Sequence, residues 1–150
     1  MNNHEIERKI TITIDSNLED VAVVGAATNK LCTTLAIAEV VCRDIELSVC
    51  EAVNNAVIHA YGNERGHKVE VSYTVTSDKL TIDVCDHGKE MSDKALPVSR
   101  CVASSRENLP ETGMGLLIIT EIMDKVVYSK RKDRNILSMT RCILPYRARK

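Results

Sequence analysis

The chain has 150 residues, 44% hydrophobic and 27% charged, with six Gly and three Pro. That is enough chain for one core, and the composition excludes a disordered, collagen-like or disulfide-dependent scaffold. The net charge of −1 hides a division: residues 1–124 carry 11 basic and 20 acidic side chains, residues 125–150 nine basic and one acidic, so the C-terminal end reads as a basic patch.

Arg8 to Ile14 (RKITITI) alternates polar with apolar over β-branched residues, the pattern of a half-buried first strand. Asp15-Ser16-Asn17 offers helix N-caps, and Leu18 to Leu35 follows with apolar residues near helical spacing and Gly25 as a soft spot. A second, longer helix is predicted from about Ala38 to Tyr61, ended by Gly62. Val69 to Val75 and Leu80 to Cys85 read as a hairpin around Thr76-Ser77-Asp78-Lys79. From Asp86 to Thr112 the periodicity collapses, which in a compact domain marks a functional lid or a disordered loop. Helical pattern returns at Gly115 to Met123, and Val126 to Lys130 with Ile136 to Ile143 form a last hairpin around Lys132-Asp133-Arg134-Asn135. The order predicts one α+β domain over residues 1–150. It is a two-layer sandwich, with helices on one face of a mixed, mostly antiparallel sheet.

Four Tyr and no Phe or Trp imply an aliphatic core without stacking platforms for single-stranded bases, so no direct nucleic-acid partner is expected. Cys32, Cys42, Cys50, Cys85, Cys101 and Cys142 form no C-x-x-C pair, and the opening MNNHEIERK is polar. These are read as buried, reduced thiols of a cytoplasmic protein. No stretch approaches the roughly 18 apolar residues that span a bilayer, so no membrane partner is expected either.

Three features carry chemistry. Glu51, Asn55 and His59 fall at i, i+4 and i+8 on the long helix, one stripe of its surface. An Asn amide oxygen is a hard ligand for magnesium, and a carboxylate one turn away can accept a proton, although a solvated polar face has the same spacing. Asp86-His87-Gly88 ends a strand: the carboxylate can receive an exocyclic amine and the glycine clears space for a ring, although ordinary turns look alike. Gly113-Met114-Gly115-Leu116 opens a helix, where backbone N–H groups and the helix dipole favour phosphate, or where glycines merely ease a tight entry.

All three occur once, in this order, each on the element its chemistry needs. Glu51 to Tyr61 (EAVNNAVIHAY) resembles the N-box, Asp86-x-Gly88 the first glycine box and Gly113-Met114-Gly115-Leu116 the second, in the ATPase superfamily of gyrase, sensor histidine kinases and mismatch-repair ATPases. The N-box ending His-Ala-Tyr and the segment Met139-Thr140-Arg141 resemble the bacterial anti-sigma-factor serine kinases within it. The resemblance implies a Bergerat fold binding ATP and Mg2+ beneath a lid at about residues 89–112. In it Glu51 is the general base, Asn55 the magnesium ligand and Asp86 the adenine contact, and Gly88 with Gly113 to Leu116 frames the nucleotide. It also implies a homodimer that phosphorylates a serine of an anti-anti-sigma protein and sequesters a sigma factor. A non-catalytic, nucleotide-gated binding module is the alternative. Glu90 stands where many relatives have a second glycine. Relatives commonly carry a late-strand Thr near the adenine, and Ser138 and Thr140 both suit by strand parity.

Overall fold

The computed structural model describes residues 6–91 and 114–143. β1 (Arg8–Asp15) leads into α1 (Leu18–Thr34) and α2 (Glu39–Asn55), which continues through a π-helical turn, Ala56–Ala60. β2 (Lys68–Val75) and β3 (Lys79–Asp86) follow, then α3 (Met114–Ile122), β4 (Lys125–Arg131) and β5 (Arg134–Cys142). Gly113, Cys101, residues 92–112 of the expected lid and the basic tail beyond 143 lie outside the described residues.

Local chemistry accounts for the element boundaries. Asn17 caps α1, its side-chain oxygen accepting from Glu19 N at 3.1 Å, and Glu19 and Asp20 lie in the first turn, where the helix dipole favours acids. Gly62 adopts φ +59° and terminates the π turn. Gly25 is a point of contact rather than of weakness: a Cβ there would meet Cys50 Sγ at 2.7 Å, so α1 and α2 pack through it.

The sheet order is β1-β2-β3-β5-β4, and every pairing between described strands is antiparallel, so the expected mixed sheet has no parallel pair here. One face is apolar: Val69, Val71, Tyr73, Leu80, Ile82, Val84, Leu137 and Met139 are buried and join Val24, Ile45, Val49, Val53 and Ile119 of the helices in one core. The alternate residues, among them Thr81, Asp83, Ser138 and Thr140, point to the other face, as the period of two requires. The core is aliphatic except for fully buried Tyr73, whose hydroxyl donates to Thr28 Oγ1 at 2.7 Å while Thr28 donates to Val24 O. β1 lies at an edge of the described sheet.

Candidate functional site

The C-terminal half of α2, its π turn, the end of β3 and the start of α3 surround a cleft of about 310 Å³ floored by β4 and β5. Val84, Leu116 and Leu137 give it apolar walls, and Asn55, Asp86 and Glu90 give it polar ones.

α2 and α3 meet closely at its mouth. A Cβ on Gly115 would lie 2.7 Å from Glu51 Oε2, 3.5 Å from Asn55 Nδ2 and 3.6 Å from Asn55 Oδ1. Residues 64 positions apart in sequence therefore share one small space, and a glycine is what lets a helix start reach the carboxylate and the amide. Asn55 Nδ2 is buried with no hydrogen-bond partner among the described residues. A buried amide without an acceptor fits a site completed by a ligand: the nitrogen suits a phosphate oxygen, and the amide turned over presents its oxygen to a cation. The donor set therefore fits Mg2+ carried on a phosphate chain, with Asn55 as the protein's hard oxygen. Among the described residues no cluster of His, Cys, Asp and Glu could hold a metal unaided.

The π turn alters the predicted stripe. Tyr61 N donates to Ala56 O at 3.1 Å, an i to i+5 bond that widens the helix. Glu51 and Asn55 stay half-buried, whereas His59 is exposed at the cleft rim. The widened turn also presents Ala60 O to the segment after β3, where Lys89 N donates to it at 2.8 Å. Gly88 is pressed against that carbonyl: a Cβ would lie 2.3 Å from Ala60 O and 2.6 Å from Ala60 C. Gly88 is not among the glycines with positive φ, so the need is for space and not for backbone conformation.

Asp86 is buried to 8% exposure at the end of β3. Its Oδ1 accepts from Gly88 N at 2.9 Å and from Asn135 Nδ2 at 2.8 Å. Burial pushes its pKa above the ordinary carboxylate value, and the bonds from Asn135 and Gly88, with His87 nearby, pull it back. Tyr61 braces the same turn: its hydroxyl donates to Lys68 O and accepts from His87 N, both at 2.7 Å, and its ring stacks on His67 at 4.6 Å. Beyond the turn, Met91 N donates to Tyr128 OH at 2.9 Å and Lys130 Nζ pairs with Glu90 at 2.9 Å, tying the segment to β4.

Glu51, Asn55, Asp86, Gly88, Gly115 and Leu116 thus come together at the cleft and its mouth. Met114 does not: its side chain is 58% exposed and lines no part of the cleft. Ser138 and Thr140 are also turned away. They pair with Asp83 and Thr81 and line a groove on the opposite sheet face. On β5 the residues facing the cleft end of the sheet are Leu137, in its wall, and Asn135, against Asp86. Sequence reasoning missed Asn135, Tyr61 and Tyr128 as site residues. Asn135 had the look of a turn residue, and only a polar residue at an inward position of the last strand could have signalled otherwise.

An apolar slot with one buried carboxylate at its base, and an amide, a carboxylate and a helix N-terminus at its mouth, suits a flat base with a phosphate chain leading outward. Known proteins similar in sequence and in fold agree with that class. The histidine kinase-like ATPase domain family matches residues 14–141, and the chain belongs to that family. The chain is 29% identical over 92 residues to the anti-sigma F factor of Clostridium botulinum strain Eklund 17B, covering 61% of this chain and 63% of that protein. It is 27% identical over 140 residues to the serine-protein kinase RsbW of Bacillus cereus strain Q1, covering 90% of this chain and 85% of the kinase. The matched region thus spans a little under two thirds of the Clostridium factor. A crystal structure of the RsbU and RsbW domains of a Mycobacterium tuberculosis protein superposes on 92% of this chain and 33% of that one with a TM-score of 0.65 at 16% identity, a likeness of fold.

Proposed function

We infer that this protein is an ATP-dependent protein serine kinase and anti-sigma factor, which phosphorylates an anti-anti-sigma partner and sequesters a sigma factor. The carrying observation is the meeting of Glu51, Asn55 and Gly115 at the mouth of the cleft that Asp86 closes at its base. The names of the Clostridium and Bacillus relatives support the partners and the reaction. In this reading Asp86 accepts from the adenine amine, Val84, Leu116 and Leu137 pack on the ring, and Gly113 to Leu116 give backbone N–H groups to the phosphates. Asn55 holds Mg2+, which when bound neutralises charge on the phosphates. Glu51 stands outside the cavity wall, where it can take the proton of an incoming serine hydroxyl as that oxygen bonds to the terminal phosphorus and ADP leaves.

The described cysteines, Cys32, Cys42, Cys50, Cys85 and Cys142, are free thiols, and no described helix is long and apolar enough to cross a membrane. The free thiols support a cytoplasmic protein. The second reading, a nucleotide-gated binding module without transfer, draws on Glu90, which is paired with Lys130 and stands where many members of the resembled family have a second glycine.

Glu51→Gln separates the two readings. It keeps size and hydrogen bonding but removes the base, so Mg-ATP and partner binding should persist while transfer to a partner serine falls at least about a hundredfold. Labelled ATP, a candidate partner and a gel measure this. A parent protein that binds ATP and the partner yet transfers nothing supports the module; parental transfer by the variant removes Glu51 as base.

A further inference from the structure

The last strand carries a residue whose side chain makes its described hydrogen bonds to the Asp86 turn alone. Asn135 is 2% exposed and stands opposite Asp86 in the β3–β5 register, so both side chains leave the sheet on the same face. Its amide nitrogen has two hydrogens, and both are used: one goes to Asp86 Oδ1 at 2.8 Å, the other to Gly88 O at 3.0 Å. Those two oxygens also decide which way the amide faces, because the reversed group would set its own oxygen against both.

Asp86 Oδ1 receives a second bond, from Gly88 N at 2.9 Å. Its two lone-pair sites are therefore filled by the protein, and Oδ2 is left as the acceptor for whatever enters the cleft. We propose that Asn135 is a positioning residue for base selection: by saturating Oδ1 and fixing the plane of the carboxylate, it makes Asp86 a one-oxygen acceptor that selects 6-amino over 6-keto purines. The proposal rests on the nucleotide-binding reading of the cleft and goes beyond it in naming what sets the base.

The chemistry follows from donor counting. A 6-amino purine offers N–H donors to Oδ2. A 6-keto purine sets a carbonyl oxygen there, and two acceptors facing each other in a buried site bind poorly. A carboxyl that gains a proton reverses this choice, because it becomes a donor. The ionisable groups facing Asp86 are His87 on its own turn, Tyr61 at the end of the π turn and Tyr128 on β4. Loss of the Asn135 bond leaves Gly88 N and His87 to oppose the burial that raises the proton affinity of Asp86. The carboxylate can then also rotate and lose its single-acceptor geometry.

The test is the ratio of ADP to IDP dissociation constants, measured by calorimetry on the full chain at neutral pH. The parent should prefer ADP by at least about tenfold, the scale of one charged hydrogen bond. Asn135→Leu should lose most of that preference, chiefly through weaker ADP binding, and Asn135→Thr, which keeps one donor, should recover part of it. A merely structural role would weaken both nucleotides together and leave the ratio unchanged. An unchanged ratio in folded Asn135→Leu overturns the proposal, as does failure of both variants to fold, which would make the residue a strut. A parent that binds ADP and IDP equally overturns the base-selection role and leaves nucleotide binding intact. A parent that binds neither overturns both.

Discussion

Gly88→Ala tests the packing of the site most directly. An added Cβ would lie 2.3 Å from Ala60 O, where ordinary contact begins at 3.4 Å, so about 1.1 Å of separation must be found. The obstacle is backbone, and both sides are held: Lys89 N bonds to the same carbonyl at 2.8 Å, and Gly88 N bonds to Asp86 at 2.9 Å. Overpacking of this kind costs about 1–3 kcal/mol, and a broken hydrogen bond adds about 1 kcal/mol. The sum, roughly 2–4 kcal/mol, corresponds to a fall in melting temperature of roughly 5–15 °C for a chain of this size. Gly62→Ala is the control: Gly62 sits at φ +59° with nothing within 4 Å of a Cβ, so only the left-handed backbone is penalised, at about 1–2 kcal/mol. Urea unfolding of parent and both variants gives the order, and calorimetry with ADP should show that Gly88→Ala also weakens the nucleotide by displacing Asp86. If Gly88→Ala is no more destabilising than Gly62→Ala, the close approach is not what requires glycine there.

Asp86→Asn is expected to stabilise the ligand-free protein while impairing ADP binding. Burial raises the folded-state pKa of Asp86, so the charged carboxylate costs stability above that pKa, and the cost disappears as pH falls below the ordinary carboxylate value. The amide can keep the bonds from Gly88 N and Asn135 Nδ2 without the charge. The stability advantage should therefore be largest near neutral pH and shrink on acidification; urea curves that stay parallel from pH 7.5 to about pH 4 would refute it. Homodimerisation is expected through the free edge of β1, where Ile10 is 45% exposed. Ile10→Lys should shift light scattering at tens of micromolar from dimer toward monomer, and a monomeric parent would end that expectation.

The helices, the strands and the three boxes were legible because each depends on neighbours a few residues away. Alternation marked β1, spacing of three and four marked α2, and glycines marked the ends. Glu51 and Asn55 could be paired on paper, since one turn of helix separates them. What surrounds them could not. The π turn at Ala56–Ala60 leaves no mark in the apolar pattern, yet it turns His59 outward and presents Ala60 O to Lys89. The space that Gly88 and Gly115 provide exists only where separate elements touch. On β5, parity alone could not choose a face, and the β3–β5 register turned Ser138 and Thr140 away from the cleft. That same register brought Asn135, 49 positions distant in sequence, against the Asp86 carboxylate. Local sequence sets what each segment can become, because propensity and periodicity act within a few residues. Which side chain meets which is decided by register and packing across the sheet, where one residue of slip exchanges the faces.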